Sequence, residues 1–201
     1  MAAYLLGSIP AAHLAGRVHG IDLRQHGSGN LGATNAWRVL GWKIGLPVYL
    51  FDSLKGALPV LYFPAMFAAV PAPHWGLAYG IASIAGHVKP IFLLGQGGGK
   101  GVATAGGAFA ALAPLPLAVA FAVFAVVLLI TRYVSLASLS AAIALPIALL
   151  VFGVPLTAPA FIASVIVAAF VFWTHRSNIG RLSRGEESRF RQSSPDGELG
   201  R

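Results

Sequence analysis

Cysteine is absent from the 201-residue chain, and acidic residues are scarce, with only 6 Asp and Glu. Without thiols there can be no disulfide, thiolate metal site, thiol nucleophile or palmitoyl anchor. Charge of either sign is thin as well, at 10% of residues against 57% apolar ones, and the mean hydropathy is +0.76. A soluble domain would carry roughly a quarter charged residues, so this composition points to a chain that lives in a lipid bilayer. Its 14 Lys and Arg leave a net charge of +8, and the placement of so few charges says more than their sum. No nucleic-acid partner and no cofactor are expected.

Three stretches contain no charged side chain at all, 56–88, 101–131 and 133–175. Each is too long for one membrane span of about 20 residues, and each holds a break: Pro71-Ala72-Pro73-His74, Pro114-Leu115-Pro116 and Gly153-Val154-Pro155-Leu156-Thr157. Proline lacks the amide donor that continues a helix, so each stretch reads as a helical hairpin. With the apolar start, the pattern predicts an all-α polytopic membrane protein. Its seven transmembrane or intramembrane helices fall near 1–16, 50–70, 75–93, 102–113, 115–130, 134–152 and 157–174. The 102–113 segment spans only about 18 Å of a hydrocarbon core about 30 Å thick, so it is expected to start part-way down, beside a cavity. The first segment lacks a basic leader and reads as a retained helix. Lys and Arg gather in the connections around 17–43, 87–100 and 131–133 and after 174. Positive charge stays on the cytoplasmic side of short loops, which places the N-terminus outside and the C-terminus inside. Residues 1–182 read as one membrane domain and 183–201 as a flexible cytoplasmic tail.

Three polar clusters then share the cytoplasmic face. The first, Gly27 to Arg38, combines Ser28, Asn30, Gly32, Thr34 and Asn35 with one guanidinium, a mixture that can fold backbone amides around an anion. Its glycines match a dinucleotide fingerprint only mechanically, because no βαβ unit exists to carry it. The second, Gly95 to Thr104, runs Gly97-Gly98-Gly99-Lys100-Gly101 into the short helix. Lys100 is followed by Gly101, so the nucleotide-triphosphate loop pattern fails, and what remains is a cation beside free amides at a helix N-terminus. The third is His175 to Leu182, with His175, Asn178 and Arg181 on one helical face. Asp52 with Lys55, and Thr131 to Ser138, add polar groups near helix ends; Asp52 and Lys55, three apart, can pair. No histidine spacing suits a metal.

Three anion-shaped clusters on an apolar bundle fit a ligand that joins phosphate to a long hydrocarbon. A transporter of a phosphorylated lipid or small phosphate ester is the second reading, weakened because no Asp or Glu is read at mid-span. The aspartates of a CDP-alcohol phosphotransferase and the H-x-x-x-x-D acyltransferase motif are both missing. The motifs Ser28-Gly29-Asn30-x-Gly32-Ala33-Thr34-Asn35-x-x-Arg38, Gly98 to Thr104, Thr131 to Ser135, and His175-Arg176-x-Asn178-Ile179-x-Arg181-Leu182-x-x-Gly185-x-Glu187 resemble the signatures of the bacterial acyl-phosphate:glycerol-3-phosphate acyltransferases, the PlsY family. The resemblance runs from about Tyr4 to Glu187. It implies a seven-helix inner-membrane enzyme that moves a fatty acyl group from acyl phosphate to the sn-1 hydroxyl of glycerol 3-phosphate in phospholipid synthesis. It further implies catalytic roles for Ser28, Arg38, Lys100, His175 and Asn178. Substrate contacts are implied for Asn30, Gly32, Thr34, Asn35, Gly97, Gly98, Gly99, Gly101, Thr104, Ser138, Arg181 and Glu187, without a metal. Expected partners are the bilayer and a soluble enzyme that makes acyl phosphate.

Overall fold

The computed structural model describes residues 1–67 and 73–190. These form ten α-helices and one 3-10 turn, with no strand among them: α1 Ala2–Gly7, α2 Ala11–Val18, α3 Ala33–Leu40, α4 Trp42–Phe67, α5 Pro73–Val88, the turn Ile91–Leu93, α6 Val102–Leu112, α7 Pro114–Thr131, α8 Val134–Val151, α9 Pro159–Thr174 and α10 Arg176–Ser183. Three helices, α4, α7 and α8, are long and apolar enough to cross a membrane. A fourth span results if α9 and α10, bent by 60° at His175, are counted together.

Most of the expected helices are present, but several boundaries move. The apolar start divides into two short helices, because Pro10 follows Ile9 and interrupts the ladder before α2 begins. Helix α4 starts at Trp42, ahead of the expected position 50. One charge, Lys43, does not end a helix, and 26 residues extend about 39 Å, beyond a core about 30 Å thick. In consequence Asp52 and Lys55 sit in the interior of a membrane-length helix, not near its end, and the reading that no Asp or Glu lies at mid-span is corrected at Asp52. The break between α6 and α7 falls at Ala113, with Pro114 as the first residue of α7, where its missing amide is harmless. Of the first expected turn, Pro71 and Ala72 lie outside the described residues, as does 191–201.

Backbone groups freed inside the bundle are answered from neighbouring helices. Pro59 cannot donate to the Lys55 carbonyl four residues earlier, and Ser83 of α5 donates its hydroxyl to that oxygen at 2.6 Å. Helices α4 and α6 touch backbone to backbone. A Cβ on Gly56 would stand 2.0 Å from the Thr104 carbonyl oxygen, and one on Gly107 1.8 Å from that of Ser53, the small-residue packing typical of membrane helices. A core of Ile84, Phe109, Leu139, Leu145, Leu149 and Val167 joins α5, α6, α8 and α9. A smaller one, built on Leu23, Leu31, Ala36 and Val48, pins the 19–32 loop under α3 and α4. Helix α7 leaves Phe121, Val126, Leu129 and Ile130 exposed, a surface suited to acyl chains.

Candidate active site

One cavity of about 690 Å³ lies between the cluster-bearing loops and helices α6 to α9. Its polar end is lined by Ser28, Asn30, Thr34, Arg38, Lys100, Ser135, Ser138, His175, Asn178, Arg181 and Glu187. Its apolar end is lined by three stripes at helical spacing: Leu117, Ala120, Phe121 and Phe124 on α7, Ala141, Ala142 and Leu145 on α8, and Val167, Ala168 and Val171 on α9. A polar mouth therefore opens into a hydrocarbon-like slot within one space.

The loop of the first cluster is held by Asn35. Its Oδ1 accepts the Ser28 amide at 2.9 Å, and its Nδ2 donates to the carbonyls of Leu23 and His26 at 3.1 and 3.0 Å. Asn35 is buried and its amide is engaged in closing the loop, which carries Ser28, Asn30, Gly32 and Thr34 to the cavity wall. Arg38 follows from α3, half-buried on the same wall.

Across the cavity a chain of polar contacts joins the second and third clusters. Lys100 Nζ donates to Asn178 Oδ1, Asn178 Nδ2 donates to Glu187 Oε1 at 2.6 Å, and Arg181 Nε donates to Glu187 Oε2 at 2.7 Å. The Thr174 hydroxyl fixes the Lys100 carbonyl at 3.2 Å. Burial pulls the pKa of Lys100 down to about 8, opposed by Glu187 and assisted by Arg181 and Arg38. His175, at the bend beyond α9, is pushed down to about 4 by burial and then by Lys100, so it is neutral near pH 7. Its Nδ1 lies 2.8 Å from the Val171 carbonyl, an acceptor only. The proton therefore sits on Nδ1, and Nε2 keeps its lone pair.

Gly101 lines the cavity, whereas Gly97, Gly98 and Gly99 lie behind it. Gly97 packs on Arg24 and Leu31; a Cβ on Gly98 would stand 2.1 Å from the Val88 carbonyl oxygen, and one on Gly99 2.1 Å from His87 Nε2. Thr104 is fully buried against α4 with an unpartnered hydroxyl, also outside the lining. The cavity also includes side chains that the sequence did not single out as site residues, Ser135, His87, and Ser188 and Phe190 of the tail, together with Asp52, which the sequence offered as a polar group near a helix end. For Ser135, the spacing 135, 138, 142, 145 along α8 was the available signal. Among the described residues no three His, Asp or Glu side chains gather as metal ligands do.

The model of the family described as glycerol-3-phosphate acyltransferase matches residues 1–185. The chain belongs to that family. Proteins named glycerol-3-phosphate acyltransferase from Trichlorobacter lovleyi and Geobacter sulfurreducens are 48% and 44% identical to it, over 94% of each chain. The crystal structure of PlsY, an integral membrane glycerol 3-phosphate acyltransferase, in its glycerol 3-phosphate form superposes with a TM-score of 0.85 at 41% identity. That match covers 94% of this chain and 92% of the other. Its lysophosphatidic acid form gives a TM-score of 0.82 at 40% identity, over 94% and 92% of the two chains. This acyltransferase is accordingly a multi-pass membrane protein, and the cavity described above contains most of the residues that carried the sequence resemblance.

Proposed function

We propose that the protein transfers a fatty acyl group from acyl phosphate to the sn-1 hydroxyl of glycerol 3-phosphate, giving lysophosphatidic acid and inorganic phosphate, at the cytoplasmic face of a bacterial inner membrane. The observation that carries this reading is the continuity of the cation-lined mouth with the apolar slot. Both reactants are anions at one end, and one of them is a hydrocarbon at the other. Seven segments with an outer N-terminus and a cytoplasmic C-terminus, set by the Lys and Arg bias, would put the mouth where a soluble acyl-phosphate-producing enzyme can deliver its product. Residues 1–182 form the membrane domain in this reading, and the tail that follows contributes Glu187 to the site.

Acyl phosphate is already activated, so catalysis consists of positioning and charge stabilisation. The Ser28, Asn30, Gly32 and Thr34 loop receives the acyl-phosphate group beside Gly101, with Thr104 and Gly97 to Gly99 supporting the wall from behind. Arg38, Lys100, Asn178 and Arg181 hold the glycerol phosphate and the charge that develops during transfer, while Glu187 keeps Asn178 and Arg181 in place and Asn35 holds the Ser28 loop. Ser138 faces the carbonyl end of the acyl chain. The sn-1 oxygen attacks the carbonyl carbon, and the bond from that carbon to the phosphate oxygen breaks. The hydroxyl proton passes to His175 Nε2 or to the departing phosphate. No acyl-enzyme forms.

Donor identity is the sharpest test of this reading. Purified protein in lipid, given glycerol 3-phosphate with palmitoyl phosphate, palmitoyl-CoA or palmitoyl-acyl carrier protein in turn, is expected to make lysophosphatidic acid from the first alone. Equal or faster turnover of either thioester would overturn the assignment of the donor.

A further inference from the structure

The buried charge pair inside α4 has no part in the displacement described above, and ionic groups at that depth are expensive enough to ask what they do. Lys55 Nζ lies 2.8 Å from Asp52 Oδ1, with both side chains 2% exposed. Lys55 also donates to the Ile9 carbonyl at 2.9 Å, where α1 breaks before α2. On the other side of Asp52 stands His87, one residue before the end of α5, buried, with its Nδ1 turned to the carboxylate at 3.5 Å from Oδ1. The opposite edge of that ring meets the glycine run. The Gly99 amide donates to the His87 carbonyl at 3.2 Å, and a Cβ on Gly99 would fall 2.1 Å from His87 Nε2. The next residue is Lys100.

We propose that Asp52 and His87 are positioning residues for glycerol 3-phosphate: Asp52, fixed by Lys55, holds the His87 ring, and the ring is the seat on which Gly99 rests so that Lys100 reaches Asn178 and the substrate phosphate. The proposal rests on reading the cavity as a glycerol-3-phosphate acyltransferase site. It also accounts for a glycine at 99, since any side chain there would collide with the ring or lift Lys100 from its place. A proton-accepting role fits the geometry less well. The Nε2 edge of His87 abuts Gly99, and the Asp52 carboxylate is already engaged by Lys55.

The test measures kcat and KM for glycerol 3-phosphate and for palmitoyl phosphate separately, in membrane-embedded protein whose folding is followed by thermal melting. His87→Ala is expected to raise the KM for glycerol 3-phosphate about tenfold, the effect of misplacing one charged contact, with a much smaller change for palmitoyl phosphate. His87→Asn, which keeps a polar group near Nδ1, is expected to recover part of that loss. The paired change Asp52→Asn with Lys55→Met leaves no orphan charge and is expected to raise the same KM. A double-mutant cycle then isolates the seat: Gly99→Ala is severe alone and costs less in the His87→Ala background, because the colliding ring is gone. Losses confined to kcat, a lowered melting temperature with wild-type kinetic constants, or additive effects of Gly99→Ala and His87→Ala would each overturn the proposal. If the paired variant does not fold, His87→Asn and the cycle decide. Wild-type protein that makes no lysophosphatidic acid would instead remove the functional reading itself, which the unmodified control reports independently.

Discussion

Lys100 titrates close to ordinary assay conditions, because burial lowers its pKa to about 8 while Glu187 restores only part of the loss. A lowered pKa means that the cation is present below that value and disappears as the pH rises through it. The ratio kcat/KM for glycerol 3-phosphate should therefore fall about tenfold between pH 7 and 9, following the loss of a single proton. Lys100→Arg, slower overall, should be flat over the same range, since a guanidinium keeps its charge; a wild-type fall that persists in the arginine variant would assign the titration elsewhere. At this scale most of the side chains picked out in the sequence are brought together by the fold. Ser28, Arg38, Lys100, His175 and Asn178 all reach one cavity. Asn35 lines the same cavity but spends its amide on Ser28, Leu23 and His26, and Gly99 packs behind the wall against His87. Such contacts depend on distant segments meeting, and no local pattern reveals them. His87 was legible as a polar residue, but its approach to Asp52 across two helices was not.

At the scale of helices, α7, α8 and α9 each turn a stripe of small and apolar residues toward the slot, and the alanines at 120, 141, 142 and 168 leave the room. If the acyl chain lies there, Ala141→Phe should obstruct it. Inserting a ring into packed space costs about 1–3 kcal/mol, so kcat/KM for palmitoyl phosphate should drop about tenfold or more relative to octanoyl phosphate, as measured by a chain-length series. An unchanged ratio would place the chain elsewhere. Proline breaks and charge-free runs made these helices readable in advance, including the short α6, whose bounds match the expected 102–113 to within one residue. Two features resisted. A single Pro10 in an apolar run gives little warning of two helices, and Lys43 conceals the true start of α4 because a helix that outruns the hydrocarbon core can carry a charge at its tip.

For the whole molecule, one contrast organises the layout: a cavity mouth that carries several of the few charges is set in an apolar bundle. The cations Arg38, Lys100 and Arg181 and the carboxylate of Glu187 face the same space as the alanine-lined slot. The last described residues close over the mouth, where the Phe190 amide donates to the Arg132 carbonyl at 2.6 Å and its ring meets Trp37 edge-on at 5.6 Å. Membrane class and helical architecture were legible from composition. The tail's return to the cavity was legible only at Glu187, through the resemblance of its motif, and not at Ser188 or Phe190, which no pattern marks. The claim that this space joins two anionic substrates in one displacement is tested most directly by following inorganic phosphate and lysophosphatidic acid together in a rapid-mixing experiment with palmitoyl phosphate. The expected result is that phosphate appears only when glycerol 3-phosphate is present, in a one-to-one ratio with the lysolipid and without a burst. Phosphate release without glycerol 3-phosphate, or a burst that leaves acyl groups on the protein, would contradict it.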